Sequence, residues 1–252
     1  MSHNTHSIDL NADLGEGSDY DAQMLALVSS ANIACGGHTG DAESMRTALL
    51  LAKKHGVAIG AHPSFPDREH FGRRPMMIAA EALFVSLLQQ VHSLQNVAEE
   101  FGLSLHHIKP HGALYNQAAY DPVLGEVLIR LVKAIKPIPR LMCLAGSPLV
   151  KQARNAGLQV IEEAFADRRY RRDGSLVPRT EVGAVIEETE LAVMQSIDIV
   201  ISNRLRSIEQ ETLVMQADSL CVHGDGEHAL ELLQGIRKAL TSHAWQIAAK
   251  SK

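Results

Sequence analysis

Four histidines stand where an apolar run gives way to glycine or proline: His38 in CGGHTGD, His62 in GAHPS, His111 in KPHGALYN and His223 in CVHGD. An imidazole titrates near neutral pH, passes protons and ligates metals, so the set suits general acid–base chemistry or a metal centre. Lys109 stands two residues before His111, and could hold a developing negative charge. Carboxylates and amides accompany them: Asn11, Asp13 and Glu16 in LNADLGEG, then Asn32, Asp41, Asn116, Glu163, Asp167 and Asp225. Side chains spread from Asn11 to His223 act together only if the fold gathers them.

Each has a plainer reading. Asp41 and Asp225 fit as helix caps. A loop histidine is commonly satisfied by backbone, Lys109 could sit in a structural ion pair, and Cys35 and Cys221 fit as small apolar fillers. Independent plain reasons would not place four histidines at four separate strand ends, so convergence on one polar site is the expectation. Strand-end side chains leave a packed interior, so His62 and Lys109 are expected to be replaceable by Ala with the fold nearly intact.

Positioning these groups falls to a β-then-α alternation. SIDLNADL reads as a strand ending near Asp13, SANIA as one ending near Cys35, and VAIGA as a third; LHHI, RLMCLA, QVIEEAF and DSLCVH continue the series. ESMRTALLLAKKH has helical spacing, with Asp41 as N-cap, Lys53, Lys54 and His55 in the last turn, and Gly56 at the end. Ala80, Phe84, Leu87, Val91, Leu94, Ala98 and Phe101 recur every three or four residues, the stripe of a long helix packed on a sheet. Asp121-Pro122 and Ser147-Pro148 each place a cap before a proline at the first helical position. Residues 181–196 read as helical, and Asp225 caps EHALELLQGIRKAL.

Parallel strands need crossover helices, and about seven such units in a chain of this length favour a closed (β/α) barrel over an open sheet. In a barrel every strand ends on the same face, which would collect the histidines there. The expectation is one (β/α)-barrel domain spanning residues 1–252, with DIVISNRLRSIEQETLVMQ as a small β-hairpin appended near 198–216.

Composition removes several classes. A net charge of −5 gives no electrostatic case for nucleic acid or an anionic membrane, and 4% aromatic residues weaken any base-stacking platform. No apolar run approaches membrane-spanning length. Three cysteines cannot all pair within the chain, and their spacing is not zinc-like. MSHNTHSIDL lacks the features of a signal peptide, so a reduced, cytoplasmic protein is expected. GxxxxGK[ST], GxGxxG and GxSxG are all absent, so no familiar module would hold nucleotide phosphates.

Two loops carry further signals. FADRRYRRDGSLVPR groups five arginines around a Tyr and an Asp-Gly turn. Guanidinium forks at a site mouth suit phosphate or carboxylate, which singles out Arg168 and Tyr170 as nearest a strand end. HPSFPDREHFGRRPM is a long proline-containing loop, either a lid or plain surface. Gly36, Gly37 and Gly224 would let backbone approach a ligand.

DLNADLGEG, SANIACGGHTGD, GAHPSFPDREHFGRR, HIKPHGALYN, EAFADRRYRRDGSLVPR and CVHGDGEHA together resemble the LamB/YcsF family, which supplies the A component of bacterial ATP-dependent 5-oxoprolinase. The six segments run in order from residue 9 to about 229. The resemblance implies a seven-stranded barrel of polysaccharide-deacetylase-like architecture. It also implies partnership with 5-oxoprolinase subunits B and C, and opening of the 5-oxoproline lactam to glutamate with hydrolysis of ATP, brought with magnesium. The long hairpin departs from the shorter, glycine-containing turn expected there.

That chemistry needs a base for water, from among Asp13, His38, His62, His111 and His223, and cations such as Lys109 and Arg168. Asn11, Glu16, Asn32, Asn116, Arg168 and Tyr170 would bind substrate or phosphate. A bound divalent metal stays open, with Asp13, His38, His62 and His223 as candidates, since related deacetylases use Asp and His on a metal. Two other readings stand beside it: a stand-alone metal-dependent amidase or deacetylase on a small N-acyl substrate, and a non-catalytic lactam-binding subunit.

Overall fold

Alternate residues of β1 (Ser7–Leu14) have opposite surroundings. Leu10, Ala12 and Leu14 are fully buried in the apolar core, while Asp9, Asn11 and Asp13 reach partners on other strands. A strand has a two-residue period, so one face meets the surrounding helices and the other meets the interior of the barrel. The computed structural model describes residues 6–223 and 227–250.

In chain order β1 is followed by α1 (Asp21–Leu25), β2 (Ser30–Ala34), α2 (Ala42–His55), β3 (Ala58–His62) and α3 (Ala80–Glu100). Next come β4 (His107–Ile108), α4 (Gly112–Ala118), α5 (Pro122–Ala134), β5 (Arg140–Leu144), α6 (Pro148–Asn155) and β6 (Val160–Phe165). Then follow α7 (Thr189–Ser202), β7 (Arg204–Arg206), β8 (Thr212–Val214), β9 (Ser219–Cys221), α8 (Glu227–Ser242) and β10 (Gln246–Ile247). Strands β1 to β6 and β9 pair in that order, all parallel, and β9 closes on β1. The closed seven-stranded barrel is therefore present. β10, which the alternation did not suggest, adds in parallel to the start of β1, with Ser7 opposite Gln246.

Local sequence explains the helices. Asp41 accepts from the backbone N–H of Glu43 and Ser44, while the Ser44 hydroxyl accepts from the Asp41 N–H, a reciprocal cap worth about 1 kcal/mol. Its side chain is exposed, and Arg68 is a nearby opposite charge. α3 buries Leu83, Leu87, Val91, Leu94 and Ala98, each large side chain worth about 1.5–3 kcal/mol. Gln90 interrupts that stripe: its amide binds the N–H and C=O of Ser64, fixing the backbone just past β3. Gly37 makes room, since a Cβ there would stand 2.3 Å from Gln90 Oε1.

Two boundaries differ from the sequence reading. The helix expected over 181–196 begins only at Thr189, because backbone bonds within 181–186 tie that stretch to the 167–177 excursion. Asp198–Ser202 completes the same helix, so the hairpin is confined to β7 and β8. Asn203 ends the helix in a left-handed conformation (φ 51°), which turns the chain into the hairpin.

Candidate functional site

The interior of this barrel is polar where barrels of this kind are usually filled by branched apolar side chains. At one level Asp9 accepts hydroxyls from Ser29, Ser30 and Ser219, and burial pushes its carboxyl above the ordinary range. Above it Asn32 donates to Asn11 Oδ1 at 2.7 Å and receives His107 Nε2–H at 2.6 Å. Gly60 lies under that imidazole, and a Cβ there would come within 2.1 Å of Nε2.

The next level is charged. Lys109 follows β4, and its Nζ lies 2.8 Å from Asp13 Oδ1, 2.9 Å from Glu163 Oε1 and 3.3 Å from Cys221 Sγ. Asn11 and Asn32 donate to the same two carboxylates. Burial disfavours the ammonium, but Asp13, then Cys221 and Glu163, outweigh it and hold the Lys109 pKa well above its usual value. Burial likewise pushes Asp13 up, but the charges of His62 and Lys109 hold it well below the carboxylate range. Near neutrality the pair is ionised.

Three imidazoles and a second carboxylate flank Asp13. His62 Nδ1–H donates to the Lys109 carbonyl at 2.8 Å, which aims Nε2 at Asp13 Oδ2, 3.3 Å away. His111 Nε2–H donates to the Phe71 carbonyl at 3.0 Å, which aims Nδ1 at His62 Nε2, 2.9 Å away. His38 Nε2 meets Glu16 Oε1 at 2.9 Å. Burial lowers the pKa of His38 and of His111, the latter strongly, with neighbouring imidazoles adding to it. His62 is the exception, because Asp13 outweighs burial and raises it.

His223 approaches from the other side. Its Nδ1–H points at both Asp167 oxygens, 2.9 and 3.0 Å away, and its ring stacks on Phe165. A cleft of about 470 Å³, lined by Glu16, Ser18, Tyr20, Phe71 and Arg73 among others, opens beside the cluster. Phe71 holds φ at 55° and sets its ring edge-on to His38 and His111. A left-handed conformation at a bulky residue costs free energy, and here it turns the Phe71 carbonyl onto His111.

The structure thus brings Asp13, Glu16, His38, His62, Lys109, His111, Asn11 and Asn32 together, with His223 alongside. It does not bring Asn116, whose exposed amide bonds back to the Gly112 carbonyl within α4. Tyr170 is fully buried and accepts the Phe165 N–H through its hydroxyl, so it braces a strand end. Arg168 is buried too, its guanidinium donating to the Val177 carbonyl at 2.6 Å. Burial and Arg179 together lower its pKa to about 10. The excursion carrying both is pinned by bridges from Arg168 to Val185 and from Tyr170 to Leu176. Gly224 and Asp225 lie outside the described residues.

Sequence reasoning placed Glu163 among the accompanying carboxylates without assigning it a catalytic or binding part, although it completes the Lys109 clamp; a carboxylate at an inward position of an apolar strand was the available signal. Cys221 is buried, as a filler would be, yet it accepts from Lys109. The suggested metal donors Asp13, His38, His62 and His223 divide between two clusters: Glu16, His38, His62 and His111 in one, and Asp13, Cys221 and His223 in the other. Their ligand atoms lie within 4.8 Å of one another inside each cluster.

Residues 8–252 match the model of the LamB/YcsF family. The chain belongs to the LamB/YcsF family. This LamB/YcsF chain is 38% identical to a lactam utilization protein from Thermus thermophilus, covering 97% of the present chain and 100% of that one, with a TM-score of 0.90. It also resembles a protein provisionally assigned to cellobiose-phosphate cleavage from Enterococcus faecalis, at 14% identity and TM-score 0.64, over 98% of each chain. A family 4 carbohydrate esterase from Streptomyces lividans matches at 11% identity and TM-score 0.51, over 98% of this chain and 93% of that one. The last two share the fold, so the LamB/YcsF barrel has the deacetylase-like architecture. Among its described residues no helix is long and apolar enough to cross a membrane.

Proposed function

We propose that this chain is the A component of an ATP-dependent 5-oxoprolinase and opens the lactam ring at the carboxyl ends of its barrel strands. The observation that carries the reading is the likeness to the Thermus lactam utilization protein over the whole of both chains. The site supplies the groups such a reaction needs. Lactam nitrogen is a poor leaving group, so ATP first transfers its terminal phosphoryl to the amide oxygen, releasing ADP and giving an imidate phosphate. Water then adds to the ring carbon, its proton passing to a base. The ring C–N bond breaks as a proton reaches nitrogen, and a second water hydrolyses the remaining acyl phosphate to the glutamate side chain and phosphate.

Lys109, clamped by Asp13 and Glu163, would stabilise negative charge at the reacting carbon. His223 would move the protons through Nε2, because Asp167 fixes its other nitrogen as the donor. A charge-bearing or proton-moving group of this kind is worth about 10²-fold or more in rate. With Arg168 turned inward, the cleft beside Glu16 and Arg73 is the better place for the substrate carboxylate. B and C subunits in the cytoplasm would bring ATP with magnesium, and the loop from His62 to Pro75 would meet them.

The test is glutamate release from 5-oxoproline and ATP, with the purified chain alone and with the two partner subunits. Release only in the three-component mixture supports the reading. No release from either mixture, with all components folded, overturns it.

A further inference from the structure

Backbone contacts fix the tautomers of His62 and His111. Carbonyl oxygens only accept, so the Lys109 and Phe71 carbonyls fix the proton of each neutral ring on the far nitrogen. In the neutral rings this turns His62 Nε2 and His111 Nδ1 toward each other, 2.9 Å apart, as lone pairs that can ligate. Glu16 Oε1 stands 3.8 Å from the first and 3.4 Å from the second, and 2.9 Å from His38 Nε2. Three imidazole nitrogens and one carboxylate oxygen thus converge, all within 4.8 Å of one another.

We propose that Glu16, His38, His62 and His111 form a binding site for one divalent transition-metal ion of the zinc class. The spacing suits it. Zinc–nitrogen bonds of about 2.0–2.1 Å in a tetrahedron place ligand atoms about 3.3 Å apart. Four of the six separations among these atoms, from 2.9 to 3.8 Å, straddle that value. Three imidazoles and one carboxylate suit zinc, cobalt or iron, whereas magnesium and calcium take oxygen donors. Outer contacts of the expected kind are present, since His62 and His111 each donate their other N–H to a carbonyl. His38 Nδ1 has no hydrogen-bond partner among the described residues, and its ring is held instead by stacking on His111 and by Phe71. Asp13 gives Oδ1 to Lys109 while its Oδ2 stands 3.3 Å from His62 Nε2, and it groups with Cys221 and His223 rather than with Glu16.

The proposal stands apart from the lactam reading, and its test needs no activity. The full chain is stripped with chelator, dialysed, and titrated with zinc by calorimetry and with cobalt by visible absorption. One equivalent should bind, and cobalt should show the intense bands of a four-coordinate site. His62→Ala and His111→Ala should each weaken binding by about 100-fold or more, beyond the usual effect of losing an outer contact. His223→Ala should bind as the parent does. Nitrogen-15 spectra of the unaltered chain provide a measure that no folding defect disturbs: zinc should shift His62 Nε2 and His111 Nδ1, while His62 Nδ1 and His111 Nε2 keep their protons. No uptake by the parent, uptake that survives loss of His62 and His111, or a proton on His62 Nε2 that zinc does not displace would each overturn it.

Discussion

The imidazoles of His38 and His111 lie face to face, their centroids 3.7 Å apart and their planes 4° from parallel. Two unit charges at that separation repel by about 4 kcal/mol at an effective dielectric of about 20. Protonating both rings in the stack is therefore strongly disfavoured, in keeping with the lowered pKa of each. His62, a T-shaped neighbour of both, is raised because it alone of the three faces Asp13 closely. One cluster thus holds imidazoles of opposite tendency, set apart by what each faces.

Lys109→Met should cost the fold about 3–5 kcal/mol, because it strands Asp13 and Glu163 as buried carboxylates without their cation. That cost runs against the expectation that Lys109 is replaceable with the fold nearly intact. Adding Glu163→Gln to Lys109→Met should cost less than the two changes summed. Urea unfolding of the four proteins measures it, and strict additivity would show that the clamp is not a coupled unit.

His107 gives an acid-side prediction. Burial, then His106, holds its pKa well below the ordinary value. The folded chain binds fewer protons there than the unfolded one, so its stabilising contribution is present above about pH 6.5 and is lost as pH falls through the lowered value. His62 runs the other way, contributing below its ordinary value and losing that as pH rises through the raised one. The melting temperature of His107→Gln should fall less between pH 7 and pH 5, roughly the upper part of that window, than that of the parent. An unchanged slope would remove His107 from the account.

Gly60→Ala should destabilise by about 1–3 kcal/mol or more, since its Cβ would stand 2.1 Å from His107 Nε2. Paired with His107→Ala, much of that cost should vanish. If thermal melts show Gly60→Ala equally harmful in both backgrounds, the close approach is not the reason for glycine there.

How much of this was legible follows from how local each signal is. Asp41, Gly56 and Asp121-Pro122 act within a turn of chain, and each marks the helix end it suggested. The parallel barrel followed from the alternation alone. Inward facing was harder to read: Asp9, Asn11 and Asp13 alternate with Leu10, Ala12 and Leu14, but the pattern does not say which face meets water, and neither does. Tyr170 and Arg168 looked like mouth residues because they follow a strand, yet the excursion folds back over them. Glu163 sits beside the outward Glu162, and only the register of β6 tells the two apart. β10 is too short to carry a period at all.

The pairing of β10 with β1 has a topological consequence. Ser7 and Gln246 are ladder neighbours, so a short linker could join the chain there while new ends are cut elsewhere. The histidines and charged groups of the site collect toward the carboxyl ends of the strands, which frees the opposite rim for cutting. Gly157, exposed in the turn between α6 and β6, is such a place. A circular permutant opened there should fold and keep the histidine cluster, because tolerated permutations fall in exposed connections. The order in which the chain visits the strands would then matter less than the ring they complete.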